Sequence, residues 1–241
     1  MWRKLATLAL TLVIPGLAGC GAPEKPPPPI PAPPVPAAPA AAPVAAPAGE
    51  AGPLVIFLGD SLTAGLGLSA EQAYPAVLER RLKASGMSVR VLNAGVSGDT
   101  TAGGAARLDW LLKQKPDVLV VGLGGNDGLR GLDLTDSEKN LRDIVGRARA
   151  ANVRVLLLGM LIPPNYGPDY TRQFQEMYPK IAKDFGVPLV PFLLEGVGGR
   201  PELNQEDGIH PTAEGQEKVA DNVEPALREV LAGLQTPRPV P

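Results

Sequence analysis

From Leu54 onward the sequence alternates short aliphatic and β-branched runs with longer amphipathic stretches, and few folds accommodate that alternation. The runs are Leu54 to Leu58, Val89 to Asn93, Val118 to Leu123, Val153 to Gly159 and Val187 to Phe192. They are almost wholly apolar instead of alternating polar and apolar, as strands buried on both faces require. Amphipathic stretches at Gln72 to Ser85, Thr101 to Lys115, Ser137 to Ala151 and Asp169 to Phe185 separate them, and a last one runs from Thr212 to Leu234. Strands and helices taken in turn predict an α/β fold of three α/β/α layers around a five-stranded parallel sheet. Thr135-Asp136-Ser137-Glu138 has capping-box spacing ahead of the third helix, Gly86 and Gly186 stop the first and fourth, and Pro225 is expected to kink or divide the last.

The residues before Leu54 fit no packed core. Met1-Trp2-Arg3-Lys4 is followed by an apolar stretch from Leu5 to Leu17, too short to cross a bilayer as a helix, and then by small residues. This is the pattern of an export leader. Leu17-Ala18-Gly19-Cys20 resembles the lipobox of bacterial lipoproteins, and the resemblance implies cleavage after residue 19 and lipid attachment to Cys20. Gly21 rather than Asp after that cysteine implies sorting to an outer membrane where one exists, facing the periplasm or the surface. Cys20 is the only cysteine, so no intrachain disulfide can form. Residues 20–53 are mostly Pro and Ala and read as a tether; extended at about 3.1 Å per residue they reach on the order of 100 Å. A role for the tract as a ligand of aromatic-lined grooves is the alternative. The expected domain spans 54–234, with 235–241 a disordered tail, and nothing in it calls for a partner to close its core, so a monomer is expected. A net charge of -2 without basic runs excludes the electrostatic footprint of a nucleic-acid binder.

In open parallel sheets, chemistry gathers outside the carboxyl ends of the strands. Ser61 in Gly59-Asp60-Ser61-Leu62 follows the first strand, Gly98 in Gly95-Val96-Ser97-Gly98-Asp99 the second, and Asn126 in Gly124-Gly125-Asn126-Asp127 the third. Asp207 and His210 lie between the fifth strand and the final helix. His210 is the only histidine in the chain. Acyl transfer through serine needs a hydroxyl, an imidazole and a carboxylate that orients it, and these positions supply one of each on one edge. Each block also has a structural explanation: Ser61 as a helix cap, Thr100 or Asp99 as the cap of the next helix, Asn126 and Asp127 as turn residues, His210 as a surface histidine.

Taken in order, the four blocks resemble the SGNH superfamily of GDSL-type hydrolases, and in particular the branch of periplasmic acyl-CoA thioesterase/lysophospholipases and arylesterases. The resemblance runs from about Leu54 to Val230. It implies a flavodoxin-like SGNH hydrolase fold and a serine esterase. In that reading Ser61 is the nucleophile, Asp207 and His210 complete the triad, and Ser61, Gly98 and Asn126 form the oxyanion hole. Pro163, Pro164, Asn165 and Tyr166, with Gly167, resemble a loop that helps to form the acyl groove. Expected substrates are aryl esters, lysophospholipids or acyl thioesters; the low aromatic content suggests an aliphatic groove. No cofactor is required, and one histidine without a second cysteine provides too few ligands for zinc. Two other functions fit the same residues less well: a carbohydrate O-acetylesterase at the cell surface, and a non-catalytic lipoprotein binding a small anion.

Overall fold

The computed structural model describes residues 52–234; the expected leader, Cys20, the Pro/Ala tract up to residue 51 and the tail at 235–241 lie outside the described residues. The chain enters at β1 (Leu54–Gly59), turns through α1 (Ser61–Ala64) and α2 (Tyr74–Ala84), and returns as β2 (Arg90–Gly95). Then follow α3 (Thr101–Leu112), β3 (Val118–Gly122), α4 (Gly125–Leu129), α5 (Leu134–Ala150), β4 (Arg154–Leu158), α6 (Pro168–Phe185), β5 (Leu189–Val190) and α7 (Ala213–Gly233). The five strands form one parallel sheet in the order β2-β1-β3-β4-β5, as the alternation predicts. That is the doubly wound, flavodoxin-like order.

Every residue of β1 and β3 is buried, which is why these strands read as unbroken aliphatic runs. Helices α2 and α7 pack side by side on one face, while α3, α5 and α6 pack as neighbours on the other. Because all strands run the same way, the connections after β1, β2, β3, β4 and β5 emerge on one edge.

Three local expectations change. Strand five is two residues long instead of six, because Pro188 and Pro191 bracket it and neither has an N–H to give the ladder. The carbonyl of Pro188 still accepts from Leu157 N at 3.0 Å, so the backbone lies alongside β4 at that residue too. The capping box at Thr135 to Glu138 lies inside α5; the cap is Asp133, whose carboxylate accepts from Thr135 N at 2.7 Å. The helix therefore starts at Leu134, ahead of the expected box, and Thr135 and Ser137 are interior residues, the Ser137 hydroxyl donating to Asp127 at 3.1 Å. Pro225 does not divide α7, which is continuous from Ala213 to Gly233. Val223 and Leu227 on either side of it are fully buried while Pro225 faces out, so packing holds the helix together across the missing bond. Gly86 and Gly186 do follow their helices in the left-handed region, at φ 85° and 58°.

Candidate active site

Ser61 opens α1, but it does not cap it. The cap is Asp60, whose Oδ1 accepts from Leu62 N at 3.0 Å. Gly65 ends the turn at φ 74°, so the helix is a single turn wedged against the sheet. It is held from three sides. Thr63 bonds to the Tyr74 hydroxyl at 3.0 Å, Asn93 Nδ2 donates to Thr63 O at 2.7 Å, and Gln216 Nε2 of α7 donates to Leu62 O at 3.2 Å. Against β2 the fit leaves no room for a methyl group: a Cβ on Gly95 would stand 2.3 Å from Ala64 N.

His210 comes from the far end of the chain. The loop that carries it is folded on Asp207, whose Oδ1 accepts from the backbone N–H groups of Ile209 and His210 at 2.9 and 3.0 Å. Gln205 ties the loop down by donating from its backbone to His210 O and from its side chain to Leu66 O and Pro211 O. The result is a line of three groups. His210 Nδ1 lies 2.6 Å from Asp207 Oδ2, and His210 Nε2 lies 2.8 Å from Ser61 Oγ. A carboxylate only accepts, so Nδ1 carries the proton and the Nε2 lone pair faces the Ser61 hydroxyl. Burial works to raise the Asp207 carboxyl, but the His210 and Ile209 N–H groups and the His210 ring outweigh it and hold the group down at about 2. It is therefore an anion at neutral pH. Asp60 goes the other way: burial, opposed by the Leu62 N–H and the His210 ring and helped by Asp99 and Asp127, lifts it to about 6.

The other candidates stand in the connections after β2, β3 and β4. Gly98 has φ 80°, a conformation that favours glycine, and its carbonyl accepts from Arg130 Nη2 at 3.0 Å. Its N–H has no acceptor among the described residues. Asn126, in α4 behind the positive-φ Gly124, donates one Nδ2 hydrogen to Asp99 O at 2.9 Å, which fixes the amide and leaves the second hydrogen for another acceptor. Thr100 caps α3 through Gly103 N. Of the loop residues, Tyr166 reaches α4, donating to Leu129 O at 3.2 Å and packing its ring over Gly131; Pro163, Pro164 and Asn165 are exposed on the same edge. A separate groove of about 550 Å³ between α5 and α6, lined by Glu138, Lys139, Arg142, Met177 and Lys180 among others, contains none of these residues.

Two supporting residues are not among the candidates that the sequence offers. Arg107 of α3 pairs with Asp99 at 2.8 Å and donates to Ala94 O and Gly59 O at 2.6 and 2.9 Å, joining the ends of β1 and β2 to the loop that bears Gly98. Asp127, fully buried beside Asn126, accepts from Thr101 N, Thr101 Oγ1 and Ser137 Oγ at 3.0, 2.6 and 3.1 Å and so fixes α3, α4 and α5 around the site. Its place in the Gly-Gly-Asn-Asp block was the one available hint.

Residues 57–218 match the model of the GDSL-like Lipase/Acylhydrolase family. The chain is similar to Esterase TesA of Pseudomonas aeruginosa, 46% identical over 182 residues that cover 75% of this chain and 90% of that protein. It is also similar to Thioesterase 1/protease 1/lysophospholipase L1 of Escherichia coli K12, 45% identical over 172 residues covering 71% of this chain and 81% of that one. A crystal structure of TesA superposes with a TM-score of 0.71 at 46% identity, covering 74% of this chain and 99% of that chain.

Proposed function

The chain belongs to the GDSL-like Lipase/Acylhydrolase family, and from that premise we propose that it is a carboxylic ester hydrolase working through Ser61, His210 and Asp207. The reading covers ester or thioester bonds in aryl esters, lysophospholipids or acyl thioesters, and relatives named as an esterase and as a thioesterase and lysophospholipase support it. The observation that carries it is the hydrogen-bonded line from Asp207 through His210 to Ser61, at 2.6 and 2.8 Å, assembled from residues 149 positions apart.

Ser61 Oγ attacks the acyl carbonyl while its proton passes to His210 Nε2. Asp207, ionised and fixed by two backbone N–H groups, keeps the ring oriented and balances the charge it acquires. The negative charge that develops on the carbonyl oxygen accepts from the N–H groups of Ser61 and Gly98 and from the Asn126 amide. Collapse breaks the bond to the alcohol or thiol, which leaves with the proton from Nε2, and the acyl group stays on Ser61. Water then repeats the sequence, with His210 taking its proton, and the acid is released. Pro163, Pro164, Asn165 and Tyr166 would line the acyl path on the same edge. Upstream, the leader and Leu17-Ala18-Gly19-Cys20 support export and a lipid anchor at Cys20.

The test is hydrolysis of p-nitrophenyl esters from acetate to palmitate by the wild type and by Ser61→Ala. The variant is expected to lose at least about 10⁴-fold in kcat. Turnover that is greatest on medium chains supports the lipolytic reading, acetate-only turnover moves the assignment to a carbohydrate O-acetylesterase, and turnover unchanged in Ser61→Ala removes the triad.

A further inference from the structure

Among the described residues seven large apolar side chains are exposed: Leu66, Trp110, Leu129, Leu132, Leu161, Tyr166 and Ile209. Only Trp110 lies on a flank, in α3. The other six all stand in connections that leave the carboxyl ends of strands: Leu66 after α1, Leu129 and Leu132 at and beyond the end of α4, Leu161 and Tyr166 between β4 and α6, and Ile209 between β5 and α7. They therefore share the edge that carries Ser61 and His210. They are also held in place, since the carbonyls of Leu66, Leu129 and Leu132 accept from Gln205, Tyr166 and Tyr170 at 2.7, 3.2 and 2.8 Å. Isolated exposed apolar residues need no explanation, but six gathered on one edge of an otherwise charged molecule do.

We propose that this edge is a docking face for a lipid bilayer, on which the enzyme rests with Ser61 turned toward the surface. The proposal rests on the esterase reading of the same site. Three observations select the occupant. First, the segments that carry the apolar side chains are nearly free of charge: residues 64–69 and 160–167 have none, 129–133 contain Arg130 and Asp133, and 205–210 contain Glu206 and Asp207. Arg130 is engaged with Gly98 O, Asp133 caps α5 and Asp207 is paired with His210, so the face is suited to zwitterionic lipid and lacks the basic cluster that attracts an anionic one. Second, no described helix is long and apolar enough to cross a membrane, so these residues can meet a bilayer only as a shallow contact. Third, the chain outside the described residues ends at the opposite edge, where β1 begins, and Cys20 lies 32 residues before Gly52. At about 3.1 Å per residue that length allows on the order of 100 Å, enough for the far edge to turn back onto the surface that would hold Cys20.

Vesicle binding tests this independently of turnover. The chain from Gly21 onward, which keeps the whole Pro/Ala tract but carries no lipid acceptor, is sedimented with large phosphatidylcholine vesicles and with vesicles containing phosphatidylglycerol. The expected result is cosedimentation with phosphatidylcholine, little changed by added salt, and about tenfold weaker in Leu66→Ser/Leu132→Ser, with p-nitrophenyl acetate hydrolysis the same in both proteins. No binding to either vesicle by a chain active on p-nitrophenyl acetate overturns the proposal. So does binding that needs phosphatidylglycerol and survives the double substitution, or a dimer in solution that the double substitution splits, since the edge would then face a second copy. Loss of the esterase reading shows instead as absent p-nitrophenyl hydrolysis, whatever the vesicles do.

Discussion

Asp60, the neighbour of Ser61 in the chain, and Asp207, bonded to the His210 ring, make opposite demands on pH. Asp60 is held at about 6 against an ordinary 3.8, so the fold favours its protonated form. Its contribution is fully present below about pH 3.8 and is lost as pH rises through 6, a cost of about 3 kcal/mol for the ionised state. Asp207, at about 2, contributes above pH 3.8 and loses its share as pH falls toward 2; it is half exposed, so water screens part of that share. Asp60→Asn keeps an acceptor for Leu62 N and cannot ionise. Urea unfolding at pH 4, 5, 6 and 8 should show the variant gaining on wild type as pH rises, by about 1–3 kcal/mol at pH 8. A difference that stays constant across that range would mean that Asp60 does not titrate there. The placement of the five candidate positions was legible because each falls in a loop directly after a predicted strand or before the last helix. Arg107 and Gln216 were not, because they bond carbonyls 48 and 154 residues away, and every residue has a carbonyl.

Among the elements, α1 carries the proposed nucleophile on a single turn and depends on its neighbours for its position. Gly95→Ala would push a Cβ into the backbone of α1, at 2.3 Å from Ala64 N and 2.8 Å from Thr63 C. The turn must shift, so stability is expected to fall by about 1–3 kcal/mol and kcat to fall well beyond what that loss explains, because the Ser61 to His210 distance changes. Thermal unfolding and p-nitrophenyl kinetics below the melting temperature read the two effects separately; wild-type kcat in a folded Gly95→Ala would show that α1 tolerates the displacement. Periodicity located all five longer helices and all five strands. Their ends depended on facts that periodicity does not contain: which of two acids caps α5, how few ladder donors remain between Pro188 and Pro191, and whether buried neighbours hold α7 together across Pro225.

For the molecule as a whole, the strand order places β1 and β3 inside and leaves β2 and β5 at the edges. Native-state hydrogen exchange should therefore protect the amides of Ile56, Phe57, Val120 and Val121 up to the global unfolding free energy, while Leu189 and Val190 exchange through smaller openings. Equal protection in β5 and β3 would make the sheet one cooperative unit to its edge. The layered architecture was legible from the alternation alone. The apolar edge was not, since Leu66, Leu129 and Ile209 look like core residues until the topology places them outside. The order of the sheet also has a temporal side. Ser61 is made early, but the imidazole hydrogen-bonded to it follows 149 residues later, together with the carboxylate bonded to that ring. At about 5–20 residues per second, a ribosome spends roughly 7–30 s between the two. On the proposed mechanism, the growing chain throughout that interval carries a serine without a base, as inert as any other alcohol, so a product truncated or stalled before residue 210 has no hydrolytic activity.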